Sequence, residues 1–402
     1  MTLDPTIAEI SHWVTDQALT DIAPEALVEG ICLRLNNAGV SVFRANVAIR
    51  PIHPLHGALA YRWNRLQGAE CEVFDNASLE VAWTGSPYYH MHRAGLTEMR
   101  HSLSDTSQPD AFAMFGPLRE QGGTDYFAAA ISFDPGTGPD AADPDQPRNT
   151  VRFSWVSDAA EGFSDTDLAA LRQVMSPLAL ALAAKTAQRV GRDLLAIYLG
   201  ADAGRRVLSG EIGHGSVTSL QTAILYLDLS GFTELSERLP GQDIIAMLND
   251  YFAAIVPTIE RHGGQVLKFM GDGLLAIFSD GSKGMGRMHA LDAVSDVEVV
   301  VNDVSAQRQA AGLPATGFTS ALHAGEVLYG NIGAPERLDF TVIGPAVNIA
   351  ARMLEMCKAL DRRILVSEAV ARPALETYPR LLSLGQYGLR GVRGRQELFT
   401  LE

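Results

Sequence analysis

Lys268-Phe269-Met270-Gly271-Asp272-Gly273-Leu274-Leu275-Ala276-Ile277-Phe278, written KFMGDGLLAIF, sets a Gly-Asp-Gly turn between two apolar runs. That pattern predicts a β-hairpin with Asp272 at its tip. Most hairpin tips are solvated and carry no chemistry. This one holds a carboxylate at a tight turn, with a lysine four residues earlier. Its meaning depends on a second carboxylate upstream. Ala223 to Asp228 (AILYLD) reads as a buried strand ending in Asp228, followed by Ser230-Gly231-Phe232-Thr233. Two carboxylates at backbone turns beside glycines can converge on divalent cations, and Mg²⁺ favours a few carboxylates plus phosphate oxygens. The amides from Leu229 to Phe232 open a helix, an end suited to phosphate.

Around these residues the pattern alternates strands and helices. A helix is expected from Asp243 to His262, with Ile244, Ile245, Leu248, Phe252 and Ile255 apolar. Met285 to Ala311 reads as helical, 317–323, 326–331 and 338–343 as strands, 344–359 as a helix, and Arg363 to Val366 as a short strand before a final strand pair. This order fits an α+β sandwich with helices packed on one sheet.

Three motifs occur in order: LDLSGFTELSE at 227–237, GGQVLKFMGDGLLAIF at 263–278 and DFTVIGPAVNIAARM at 339–353. Together they resemble the catalytic domain of class III adenylyl and guanylyl cyclases, over about residues 220 to 400. The resemblance implies a ferredoxin-like sheet with helices. It implies that Asp228 and Asp272, with the main-chain carbonyl of Leu229, hold two ions of Mg²⁺ or Mn²⁺ per active site. It assigns Lys268 to the adenine ring and Asn348 and Arg352 to the transition state; the four-residue spacing puts that pair on one helix face. Phe232 and Thr233 fall at the substrate-binding turn. The family's terminal-phosphate cation falls at Arg393 or Arg395, Arg393 being preferred, with an exposed hairpin arginine as the alternative.

One position departs from the commonest pattern. Seven residues before Asn348, where many adenylyl cyclases carry aspartate, the chain has Thr341. A hydroxyl can accept from the adenine amino group or donate to a ring nitrogen. The chain is thus similar to a threonine-bearing bacterial subgroup, some of which respond to bicarbonate. Guanylyl cyclases typically have glutamate at the lysine position, and Lys268 has the wrong charge for the guanine donors. The resemblance therefore implies an adenylate cyclase that converts ATP to 3′,5′-cyclic AMP and pyrophosphate. It also implies sites shared across a homodimer, one protomer giving the aspartates and the other the base-recognition and transition-state residues. Guanylate cyclase activity and an inactive nucleotide-binding or dimerisation module are the alternatives; the second is disfavoured because no motif residue is missing.

The rest of the chain is less explicit. Its 402 residues allow two or three domains, read as a regulatory domain at 1–185, a helical linker at 186–217 and the catalytic domain at 218–402. Residues 5 to 38 read as helical, with strands at 42–50, 57–63, 126–133 and 151–156 and an exposed Pro/Gly/Asp-rich loop at 134–149. Ser164 or Asp165 is a candidate cap for a helix in which Leu168, Leu171, Met175, Leu178 and Leu182 form a heptad-like seam. That seam suits either a helix pair between subunits or an ordinary core-facing helix, and Pro177 is a candidate kink. The stretch FSDTDLAALRQVMSPLALALA is similar to the last helix of GAF-like sensor domains, which implies a small-molecule or other signal there. His53-Pro-Leu-His56 and His90-Met-His92 are spaced for metal or haem, although scattered histidines are more often surface or core. Trp63, Trp83, Tyr88 and Tyr89 could line a pocket or simply pack. Arg189, Arg192, Arg205 and Arg206 read as a solvated helix face.

A net charge of −15 disfavours nucleic-acid and anionic-membrane partners. Cys32, Cys71 and Cys357 lack metal or redox spacing and read as free thiols in a reducing compartment. MTLDPTIAEISHW lacks signal-peptide character, and the richest apolar run, Pro177 to Ala184, is short for a membrane span; a cytoplasmic protein is expected.

Overall fold

A computed structural model describes residues 5–105, 107, 110–133, 150–211, 213, 215–280, 285–334 and 336–401. The loop expected at 134–149 lies outside the described residues. The chain divides into two compact units, Met1–Leu194 and Leu195–Glu402.

The first unit contains α1 (Pro5–Ala18), α2 (Pro24–Asn37), β1 (Arg44–Ile49), β2 (Ala58–Asn64), β3 (Gly68–Phe74), α3 (Asn76–Thr84), α4 (Pro87–Arg93), β4 (Glu98–Ser102), α5 (Phe115–Glu120), β5 (Asp125–Ser132) and β6 (Thr150–Ser157). The helix expected over 5–38 is therefore two, the second starting at Pro24, where the absent N–H costs nothing. The strands form one antiparallel sheet in the order β3-β2-β1-β6-β5-β4.

The next helix, α6, runs from Asp165 to Leu199. Ser164 caps it reciprocally: the Asp167 amide donates to the Ser164 hydroxyl at 3.2 Å, and the Ser164 amide donates to the Asp167 carboxylate at 2.9 Å. By length and composition α6 is apolar enough to cross a membrane. Its seam, however, is spent at home. Leu168, Leu171, Met175, Leu178 and Leu182 are buried in one core with Val47, Tyr61, Trp63, Phe153 and Trp155 from the sheet. The seam faces the core of its own unit, so those side chains are not available for a helix pair between subunits.

The second unit contains α7 (Ala201–Leu208), β7 (Val217–Leu229), α8 (Phe232–Arg238), α9 (Gly241–Arg261), β8 (Gln265–Met270), β9 (Gly273–Ser279), α10 (Gly286–Ala310), β10 (Phe318–Ala334), β11 (Arg337–Ile343), α11 (Pro345–Leu360), β12 (Ile364–Ser367), α12 (Glu368–Ala371), β13 (Leu381–Gly388) and β14 (Arg395–Leu401). Its eight strands order as β13-β14-β12-β10-β7-β9-β8, with β11 paired to β10. The strands expected at 317–323 and 326–331 are one continuous strand, because β10 stays in register with β7 through Gly325. Arg205 and Arg206 are not simply solvated. Both pair with Asp202, and Arg206 also with Glu211.

Strand alternation decides which face of β7 does what. Ala223, Leu225, Leu227 and Leu229 are buried with Met247, Tyr251 and Ile255 of α9 and with Leu291 and Val294 of α10. Ile224 and Tyr226 face the other way, into a cluster with Val347 and Ala350 of α11. Asp228 continues this second face to the strand's end.

Candidate functional site

Asp228 is the penultimate residue of β7, and its Cα partner on β9 is Gly273. That pairing brings the β8–β9 turn against the end of β7. The Leu229 amide donates to the Asp272 carbonyl at 3.2 Å and closes the join. Gly271 has φ 68°, a left-handed turn position that glycine fills without strain. Gly273 is required for a different reason. A Cβ there would lie 2.6 Å from the Leu227 carbonyl oxygen and 2.8 Å from Oδ1 of Asp228. Gly273→Ala should push the turn off β7 and cut kcat by about 10-fold or more, because small misplacements of catalytic groups are expensive. Steady-state kinetics beside a melting curve will separate that from unfolding.

The two carboxylates are half-buried and face each other. Burial, reinforced by the negative charge of Asp272 and a hydrogen bond to it, pushes Asp228 up to about 6. Two ionised carboxylates in one half-buried corner repel, and a hard divalent cation removes that cost. The donor set therefore fits the expected metal.

The loop that follows is braced from outside the motif. The Thr316 hydroxyl donates to the Ser230 carbonyl, and the Ser230 amide donates to the Gly317 carbonyl at 2.9 Å. The Thr316 amide in turn donates to the Tyr251 hydroxyl at 2.8 Å. Phe232 packs partly buried against the core, while Thr233 is exposed at the start of α8. Thr316 and Tyr251 were not legible as site residues, since both lie in segments without a motif.

Lys268 is on β8. Its ammonium pairs with Asp339 of β11 at 2.9 Å. Asp339 and Thr341 share one face of β11, while Phe340 and Val342 turn into the core. Thr341 is 7% exposed and its hydroxyl has no hydrogen-bond partner. An orphaned buried hydroxyl costs about 1–3 kcal/mol unless something pairs with it. Asp339 sits in the third motif with no role read for it; the i, i+2 spacing to Thr341 was the available signal.

Asn348 and Arg352 stand on α11 away from the buried stripe Ala346, Val347, Ala350, Met353 and Cys357. Asn348 is exposed, and Arg352 is held by Glu355. Among the described residues no hydrogen bond or ion pair joins either to Asp228 or Asp272. Arg393 is exposed on the β13–β14 turn and Arg395 begins β14; neither forms an ion pair among the described residues. One chain thus brings together the carboxylates, and separately Lys268 with the Thr341 strand, but leaves the α11 pair facing outward.

The histidines of the first unit give a weaker arrangement. His53 and His56 stack at 4.1 Å, near Asp193. Nδ1 of His53 accepts from the amides of Leu55 and His56, each at 3.1 Å, which leaves the proton on Nε2, 3.8 Å from Asp193. That tautomer offers no lone pair toward the carboxylate, so the cluster does not suit a metal as it stands. Burial raises the thiols of Cys32, Cys71 and Cys357, the last to about 12, so none is an activated nucleophile.

Comparison with known proteins bears on the second unit. Residues 217–402 match the family described as the adenylate and guanylate cyclase catalytic domain. The second unit therefore carries a mixed α/β cyclase catalytic-domain fold. An adenylate cyclase of Anabaena cylindrica is 33% identical over 158 residues, 39% of this chain and 32% of that protein. An uncharacterized protein of Mycobacterium tuberculosis H37Rv is 33% identical over 199 residues, 50% of this chain and 34% of its own length. The chain thus spans about a third of these curated relatives. Among solved structures, the adenylyl cyclase CyaB from P. aeruginosa is similar at 25% identity, with a TM-score of 0.41, over 46% of this chain and 95% of that one. The guanylyl cyclase Cya2 is similar at 26% identity and a TM-score of 0.40, over 46% and 93%.

Proposed function

We propose that the chain is an adenylate cyclase of the threonine-bearing kind, with residues 218–402 catalytic, 186–217 a transducing linker and 1–185 a GAF-like regulatory domain. The observation that carries the reading is the Asp228–Asp272 corner, whose Asp272 shares a hairpin with Lys268, with the orphaned Thr341 hydroxyl beside the Lys268–Asp339 pair.

In this reading Asp228 and Asp272, with the Leu229 carbonyl, would hold two Mg²⁺ or Mn²⁺ ions, which would supply charge neutralisation along the triphosphate and a lowered pKa for the attacking hydroxyl. Turn residues Phe232 and Thr233 lie under the phosphates, and Arg393 meets the terminal ones. Lys268 and Thr341 orient adenine, Thr341 by pairing the hydroxyl now left alone. The ribose 3′-oxygen bonds to the α-phosphorus as its proton passes to solvent, the bond from that phosphorus to the bridging oxygen breaks, and pyrophosphate leaves with that oxygen. Arg352 and Asn348 stabilise the developing phosphoryl charge, a task suited to the planar guanidinium fork. Because the α11 pair faces outward, a second copy of the chain completes each site, and the working enzyme is a homodimer.

Lysine sets the preference for ATP. Lys268→Glu places a like charge against Asp339 and removes a donor to adenine, so kcat/KM for ATP should fall about 10- to 100-fold, the cost of one charged hydrogen bond. Turnover of GTP should fall less or rise. Equal losses on both nucleotides would remove Lys268 from base recognition.

A further inference from the structure

The first unit contains a cavity of about 210 Å³ on the sheet face opposite α6. Sequence alternation builds it. On β1, Ala45, Val47 and Ile49 turn into the core, which leaves Arg44, Asn46 and Ala48 on the cavity side. Cross-strand pairing sets Ala48 between Ala60 of β2 and Arg152 of β6, and Asn46 between Arg62 and Ser154. The small side chains of Ala48, Ala58 and Ala60 leave the floor open, and Leu79, Trp83 and Pro87 from α3 and α4 form part of the wall.

The lining is chemically one-sided. Arg44, Arg50, Arg62 and Arg152 all contribute, and no Asp or Glu does. Arg152 is only 7% exposed, with its guanidinium 4.7 Å over the Trp83 ring. Burial, with Arg50 alongside, lowers it to about 10, so it stays charged at neutral pH. Arg62 is offset by Glu72. Arg44 has no ion pair among the described residues, and burial and the charge of Arg62 both press its pKa down. Tyr126 is fully buried; its hydroxyl lies beside those of Tyr88 and Ser154, yet forms no hydrogen bond of proper geometry. Arg44, half-buried and without an ion pair among the described residues, and the Tyr126 hydroxyl are polar groups over an apolar floor that an anion would satisfy.

We propose that this cavity binds a small carboxylate with a planar apolar body. The carboxylate meets the guanidinium of Arg44 and the Tyr126 hydroxyl, and the body lies between Trp83 and the alanine floor. A fork-shaped donor matches a planar carboxylate bidentately. Size agrees: a cavity of about 150 Å³ takes benzene, so this one takes a ring with one acidic substituent. The inference stands independently of the catalytic reading, because its test reads binding.

The test uses the 402-residue chain with benzoate, phenylacetate and indole-3-carboxylate as probes, and benzamide and inorganic phosphate as the body without charge and the charge without body. Calorimetric titration should show saturable binding of at least one carboxylate. The melting temperature of the first unit should rise with its concentration, as mass action requires. Benzamide and phosphate should give neither. Arg44→Met should weaken binding about 10-fold or more, and Ala60→Leu should fill the floor and abolish it while keeping the melting temperature. No saturable binding of any of the three carboxylates, tighter binding of benzamide or phosphate, or undiminished binding to folded Ala60→Leu would each overturn the proposal.

Discussion

Asp272→Ala lowers turnover by about 10³-fold or more, equivalent to about 4 kcal/mol of transition-state stabilisation, and leaves the second unit folded. The reason lies in the corner it shares with Asp228. Removing Asp272 takes away half of the carboxylate pair proposed to hold the metal. It also removes the charge that helps to raise Asp228 to about 6 from 3.8. The sign of the stability effect follows. A carboxyl with a raised folded-state pKa contributes stability that is complete below the unfolded value and is lost as pH rises through about 6. Without added metal, Asp272→Ala should therefore melt at the same temperature as the parent at pH 4 and higher at pH 8. A variant that turned over like the parent, or one that melted lower at pH 8, would contradict the paired-carboxylate site.

Mixing an Asp228→Ala chain with an Arg352→Ala chain restores activity that neither has alone. Each variant by itself has two defective sites if the carboxylates of one copy work with the α11 residues of the other. In a mixed dimer both lesions fall on the same site and the second is intact. With random exchange half the dimers are mixed, and each has one working site of two, so recovery should approach roughly a quarter of the parental rate. Native mass spectrometry establishes that mixed dimers are present; no recovery in their presence means that each chain assembles its own site.

Much of the second unit was legible because its cues are local. The turn glycines around Asp272, the strand ending in Asp228 and the helical spacing of Asn348 and Arg352 are each fixed within a few residues. What escaped was non-local. The Lys268–Asp339 pair depends on the placement of β8 and β11, 71 positions apart along the chain. The Thr316 brace on the loop after β7 depends on a turn 86 positions from Ser230. In the first unit, the leucine seam of α6 had two readings until the sheet supplied its partner face. The aromatic residues drew attention to a pocket, but Trp63 lies in the core on the other face, and only Trp83 and Tyr88 of the four line the cavity. Arginines and small side chains at alternate positions of three separate strands define it instead, a pattern that strand pairing alone assembles.

The measurement closest to the central claim is product identification from the purified 402-residue chain given ATP or GTP with Mg²⁺, Mn²⁺ or a chelator. The account predicts cyclic AMP and pyrophosphate in equal amounts from ATP, dependent on the divalent ion, with cyclic GMP a minor product. Cyclic GMP as the main product, or cyclic AMP formed as fast in the presence of chelator, would contradict it.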